Sequence, residues 1–145
     1  MRILAIASSG GHWSELELIL EQLKAPSVIT VATKLSCSSE LRPYDYLIQD
    51  CNVSRKIDCL KSFFQIFKIL RAEKPELVIT TGAAPGLVSV SAAKLLGIRT
   101  IWVDSIANTD QLSRSGFLAS FFVDLAFTQW RHLESSRTKF IGSIF

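Results

Sequence analysis

The sequence is short of cysteine, has no long apolar run and carries no strong charge of either sign. Three cysteines, Cys37, Cys51 and Cys59, are present among 145 residues. An odd number at these spacings fits no disulfide framework, zinc site or redox motif, so free structural thiols in a reducing compartment are expected. On that basis the Asn52-Val53-Ser54 sequon carries no glycan. No stretch reaches the roughly 20 apolar residues of a membrane span. The apolar start, residues 3–7, is too short for a signal peptide, and no small-residue cleavage site follows it. A formal charge of +3 is compatible with an anionic ligand or membrane surface but makes no case for nucleic acid. Internal repeats, low-complexity stretches and linkers are also missing. A single cytoplasmic domain over residues 1–145 is expected, soluble or peripherally attached to the inner face of the plasma membrane.

What is present is an apolar content of 48%, enough for one core, arranged as alternating strand and helix signals. Short continuous apolar runs predict strands at residues 3–7, 27–32, 77–80, 99–103 and 125–128, with shorter ones near 46–48 and in the tail 139–144. Between them, helical patterns are predicted from residue 14, over about 58–73 with Pro75 beyond, up to residue 96 with Gly97 beyond, and around 112–122. Residues 34–52 are polar and irregular and include Pro43. Strands that alternate with helices and read as unbroken apolar runs imply an α/β fold: a Rossmann-like parallel sheet with helices on both faces.

The first strand drops into Ser8-Ser9-Gly10-Gly11-His12. Such a turn aims backbone N–H groups and the positive end of a helix dipole at one spot, where a phosphate can sit. The bland alternative is a tight turn that binds nothing. Ser14 and Glu17 have capping-box spacing, and Leu16, Ile19, Leu20 and Leu23 form a sheet-facing stripe. A third glycine at the spacing of the dinucleotide fingerprint is lacking. In parallel sheets ligands bind beyond the carboxyl ends of the strands. Three loops rich in Gly, Ser, Thr, Asn and Asp fall there: residues 8–14, 81–86 and 104–112.

Five elements occur in series: Ser9-Gly10-Gly11-His12; Thr80-Thr81-Gly82 with Pro85-Gly86; Asp104-Ser105-Ile106-Ala107; Leu112-Ser113 with Gly116; and Thr128-Gln129-Trp130. Together they resemble the Alg-type oligosaccharide-biosynthesis family, from Ile3 to about Ile144. The resemblance implies the acceptor-binding, membrane-associated half of a split UDP-sugar glycosyltransferase, related to the N-terminal half of glycosyltransferase family 28 with its GT-B fold. It implies a separate UDP-sugar-binding partner subunit, a lipid-linked pyrophosphate acceptor on the cytoplasmic face of the membrane, and no metal or other cofactor. The bacterial type, serving capsule or exopolysaccharide assembly, is favoured. Many relatives carry Glu-Ser and a following Arg where this chain has Asp104-Ser105 and Asn108, which leaves the acceptor's identity open.

Sugar transfer needs a base for the acceptor hydroxyl and positive potential for the departing diphosphate. His12 is one base, or else it packs the turn; Asp104 is the other, or it binds acceptor hydroxyls or caps the segment after it. Ser9, Gly10, Gly11, Thr81, Gly82, Ser105 and Asn108 are the expected substrate contacts, although the loop at residues 80–86 has an equally plain structural reading. The helix at residues 58–73 presents Leu60, Phe63, Phe64, Phe67 and Leu70 with Lys61, Gln65 and Lys68 opposite. Phe64, Phe67 and Lys68 there, and Phe117 and Trp130 further on, are the expected membrane or partner contacts, set against ordinary packing. Two other functions remain open: a non-catalytic membrane adaptor that recruits the catalytic subunit, and a small nucleotide-binding protein.

Overall fold

A computed structural model describes residues 1–25, 27–33, 44–52 and 54–144. Cys37 and Pro43 lie outside the described residues. Among the described residues seven strands form one parallel sheet: β1 (Arg2–Ala7), β2 (Ser27–Thr33), β3 (Tyr46–Ile48), β4 (Leu77–Thr80), β5 (Arg99–Val103), β6 (Leu125–Thr128) and β7 (Lys139–Phe140). Their spatial order is β3-β2-β1-β4-β5-β6-β7, so the winding reverses between β1 and β4. A crevice opens at such a reversal, outside the strands' carboxyl ends.

Alternate residues of β1 serve opposite layers. Ile3, Ala5 and Ala7 pack with Trp13 and Leu16 of α1 (Gly11–Leu23) on one face. Leu4 and Ile6 join the other layer, where Ile66 and Leu70 of α2 (Lys56–Glu73), Val90 of α3 (Ala83–Leu95) and Ala119 of α4 (Arg114–Ala119) cover the sheet. Trp102, 1% exposed, fills the middle of that second layer.

Several local expectations are corrected. Residue 11 already begins α1, Gly10 is its N-cap, and no side chain caps it. The Ser14 hydroxyl instead donates back to the Gly10 carbonyl at 3.4 Å, so Ser14 and Glu17 form no capping box. Leu23 ends the predicted stripe outside the core, 53% exposed. On α2 the fully buried positions are Ser62, Ile66 and Leu70, which turns Phe63 and Phe67 against the core and leaves Leu60 and Phe64 out. Phe67 is therefore a packing residue. The last helix is shorter than predicted because Ser113 caps it, accepting from the Gly116 N–H at 2.8 Å, and turns follow Ala119. Cys51 and Cys59 are free thiols, and burial pushes the Cys51 thiol up to about 12. Among the described residues no helix is long and apolar enough to cross a membrane.

Candidate functional site

The parallel arrangement carries the ends of β1, β4 and β5 to one edge, together with the loops that follow them. Gly10 has φ +95° and Gly82 has φ +127°, a region open to glycine at little cost, and each leads straight into a helix. The N-termini of α1 and α3 thus flank the crevice between β1 and β4. The third loop is shorter of glycine and is held by side chains instead. The second ends sooner than predicted, since α3 starts at Ala83 and takes Pro85 and Gly86 into its first turn.

His12 stands between the first two loops. Its Nδ1 lies 3.2 Å from the Thr81 carbonyl oxygen, and the Thr81 hydroxyl donates to the His12 carbonyl at 2.6 Å. A carbonyl only accepts, so the neutral ring carries its proton on Nδ1 and keeps the Nε2 lone pair. The ring is half-buried and rests on Gly82, where a Cβ would come 3.4 Å from Cε1. Ser9 is turned inward: its hydroxyl donates to the Thr33 carbonyl at 2.5 Å and its N–H to the Thr33 hydroxyl at 3.2 Å.

Asp104 is 2% exposed, and both of its oxygens are taken. Oδ1 accepts from the Trp102 indole at 3.1 Å and the Ser113 hydroxyl at 2.6 Å. Oδ2 accepts from the Asn108 amide at 3.1 Å and the Ser113 N–H at 2.9 Å. Four donors fill the lone-pair directions of a carboxylate. This geometry makes Asp104 an anchor for the loop and for α4, and leaves it no free lone pair for a substrate proton. Asn108 spends its amide on that anchor, while Ser105 donates its hydroxyl to Glu15 at 2.8 Å.

The other side of the loop is strapped by the segment after β6. Trp130 donates its indole N–H to the Ile106 carbonyl at 2.8 Å, and His132 Nε2 lies 2.6 Å from the Thr109 carbonyl. Trp130 is thus a brace for the site, half-buried, rather than a free outward contact. Exposed His132 belongs to the same brace. Glu15, buried beside the third loop, is the site residue that local pattern conceals, because its partners lie some 90 positions away. Its place one turn after His12, and four residues before the apolar Ile19, was the available signal.

Apolar side chains stay exposed on α2 (Ile57, Leu60, Phe64) and on or just after α4 (Phe117, Leu118, Phe121). All lie in the layer opposite α1, on helices that begin at the site's edge. Exposed Lys56, Lys61, Lys68 and Arg114 accompany them. Among the described residues no three His, Cys, Asp or Glu side chains gather as a metal site.

A family model described as "Oligosaccharide biosynthesis protein Alg14 like" matches residues 47–144. The UDP-N-acetylglucosamine transferase subunit ALG14 of Homo sapiens is 28% identical, over 99% of this chain and 83% of its own length. That of Yarrowia lipolytica is 26% identical, over 91% and 74%. Among solved structures, Acinetobacter baumannii MurG superposes with a TM-score of 0.80 at 16% identity, covering 97% of this chain and 45% of that one. A UDP-N-acetylglucosamine 2-epimerase from Rickettsia bellii gives 0.78 at 17%, covering 99% and 45%. The likeness to these two is one of fold, and this chain spans under half the length of either.

Proposed function

Because the chain belongs to the Alg14-like oligosaccharide biosynthesis family, we propose that it is the acceptor-binding subunit of a two-component glycosyltransferase. The reaction moves a sugar from a UDP-sugar to a lipid-linked pyrophosphate acceptor in capsule, exopolysaccharide or related oligosaccharide assembly. A separate subunit brings the UDP-sugar-binding half. Two facts support the division: the curated relatives are named as transferase subunits, and the similar solved enzymes are more than twice as long.

The observation that carries the reading is the state of His12. Its Nδ1 is fixed on Thr81, its Nε2 keeps a lone pair, and two helix N-termini flank it. His12 takes the proton of the acceptor hydroxyl as it attacks the sugar. The Gly10-Gly11 turn and the helix ends supply positive potential for pyrophosphate oxygens, with Thr81 and Gly82 as the second wall. Ser105 and Asn108 line the third loop, which Asp104 holds in shape. The exposed apolar residues of α2 and α4, with their lysines and Arg114, dock on the anionic cytoplasmic face of the membrane, where such an acceptor is found.

The test is UDP-sugar transfer to lipid acceptor by this chain, by its partner and by the two together. Activity is expected from the pair. Full activity of this chain alone would sink the split-enzyme reading. His12→Ala should cut turnover by roughly a hundredfold or more and keep partner binding; unchanged turnover would leave the chain a membrane adaptor.

A further inference from the structure

Glu15 is 5% exposed, and none of the roles above uses its side chain. Oε1 accepts from the Ser105 hydroxyl at 2.8 Å and from the Ile106 N–H at 3.2 Å, which latches the third loop to the turn of α1 that carries His12. Oε2 is sealed from solvent and has no partner. Buried polar atoms are nearly always bonded, so a bare carboxyl oxygen marks a demand that the fold itself does not meet. Burial raises this carboxyl above its ordinary value, against the lowering effect of its two hydrogen bonds. The titratable groups facing it are His12, one helical turn earlier, and Asp104, whose own oxygens are occupied.

We propose that Glu15 Oε2 is the recognition point for a hydroxyl of the ligand's sugar ring, in a subsite between His12 and the loop bearing Ser105 and Ile106. The proposal rests on the sugar-transfer reading of the crevice. A phosphate oxygen is a poor partner, since it would meet a carboxylate. No three-ligand cluster among the described residues marks a metal site here. A hydroxyl is neutral and both donates and accepts, so it pairs with Oε2 whether the carboxyl is ionised or protonated. Because Oε2 is sealed, the hydroxyl reaches it as the latch to Ser105 and Ile106 parts. Sugar binding and movement of the third loop are therefore one event.

The experiment compares inorganic phosphate, N-acetylglucosamine 1-phosphate and its 3-, 4- and 6-deoxy analogues, titrated against the chain by NMR. The parent should bind one deoxy analogue about tenfold more weakly than the full sugar phosphate. In Glu15→Met that gap should close while phosphate affinity holds. Glu15→Ala, which also removes the carboxyl, serves if the Met variant is insoluble. A gap that persists in the variant, or is absent from the parent, overturns the subsite alone. An equal loss for every analogue makes Glu15 a loop tether and also overturns it. A parent that binds no phosphate at all overturns the crevice reading together with the subsite.

Discussion

His12 and Thr81, 69 positions apart, hold each other by two bonds: hydroxyl to carbonyl at 2.6 Å and ring Nδ1 to carbonyl at 3.2 Å. The pairing joins the first turn of α1 to the end of β4 and settles which ring nitrogen faces outward. Thr81→Val keeps the shape and removes the hydroxyl, so folding stability should fall by about 1 kcal/mol. Turnover of the reconstituted pair should fall further than that loss explains, as His12 loses its fixed pose. Denaturant melts and kcat/KM measured side by side check both.

His12→Ala removes the ring that rests on Gly82. Turnover should drop by roughly a hundredfold to ten-thousandfold, the range of a lost general base, with partner binding unchanged. An activity loss under tenfold would assign the ring to packing.

Gly116 is the tight point of the Asp104 cluster. A Cβ there would collide with Asp104 Oδ1 and come 2.8 Å from Ser113 Oγ and Trp102 Nε1. Gly116→Ala should therefore destabilise the protein by about 1–3 kcal/mol, as overpacking does. Asp104→Asn places an amide against donors and should cost a similar amount. The double variant should lose less than the sum, because both break the same cluster. Urea unfolding of the three variants measures it.

The Glu15 carboxyl gives stability a pH dependence with a definite sign. Its folded value lies above the ordinary 4.5 because burial disfavours the charge. Between those two values the folded chain holds the proton more firmly than the unfolded one, so stability is greatest below and declines as pH rises through the window. Glu15→Gln should flatten that decline in urea melts run from acid to neutral pH.

Phe117 and Leu118 are each about half exposed on α4, at 51% and 50%. Replacing both by Glu removes apolar contact and adds like charge, so co-sedimentation with phosphatidylglycerol vesicles should weaken severalfold and that with neutral vesicles by less. Equal binding by the parent to neutral vesicles would remove the electrostatic part of the membrane contact.

The sheet could be read from sequence because its strands are buried on both faces and appear as unbroken apolar runs. The start of β2 and the extents of β4, β5 and β6 follow directly. Helix ends were less legible. Ser14 carries the chemistry of a cap, yet Gly10 with φ +95° lets the helix begin earlier. The site divides the same way. Its three loops could be placed by topology and their small polar residues recognised. That Asp104 is saturated, that Trp130 braces Ile106 and that Glu15 is buried depends on partners 24 or 90 residues distant for the last two, and on the packing of four donors for the first. No local pattern encodes those.

Asp104 also has a mechanical consequence. Through Ser113 it pins the start of α4, and through Asn108 it pins the crest of the third loop. The greasy side chains of α4 and the rim of the crevice therefore move as one piece. If the proposed membrane contact holds, a surface that captures Phe117 and Leu118 would also fix the height and tilt of the crevice above it, a depth gauge built into the chain.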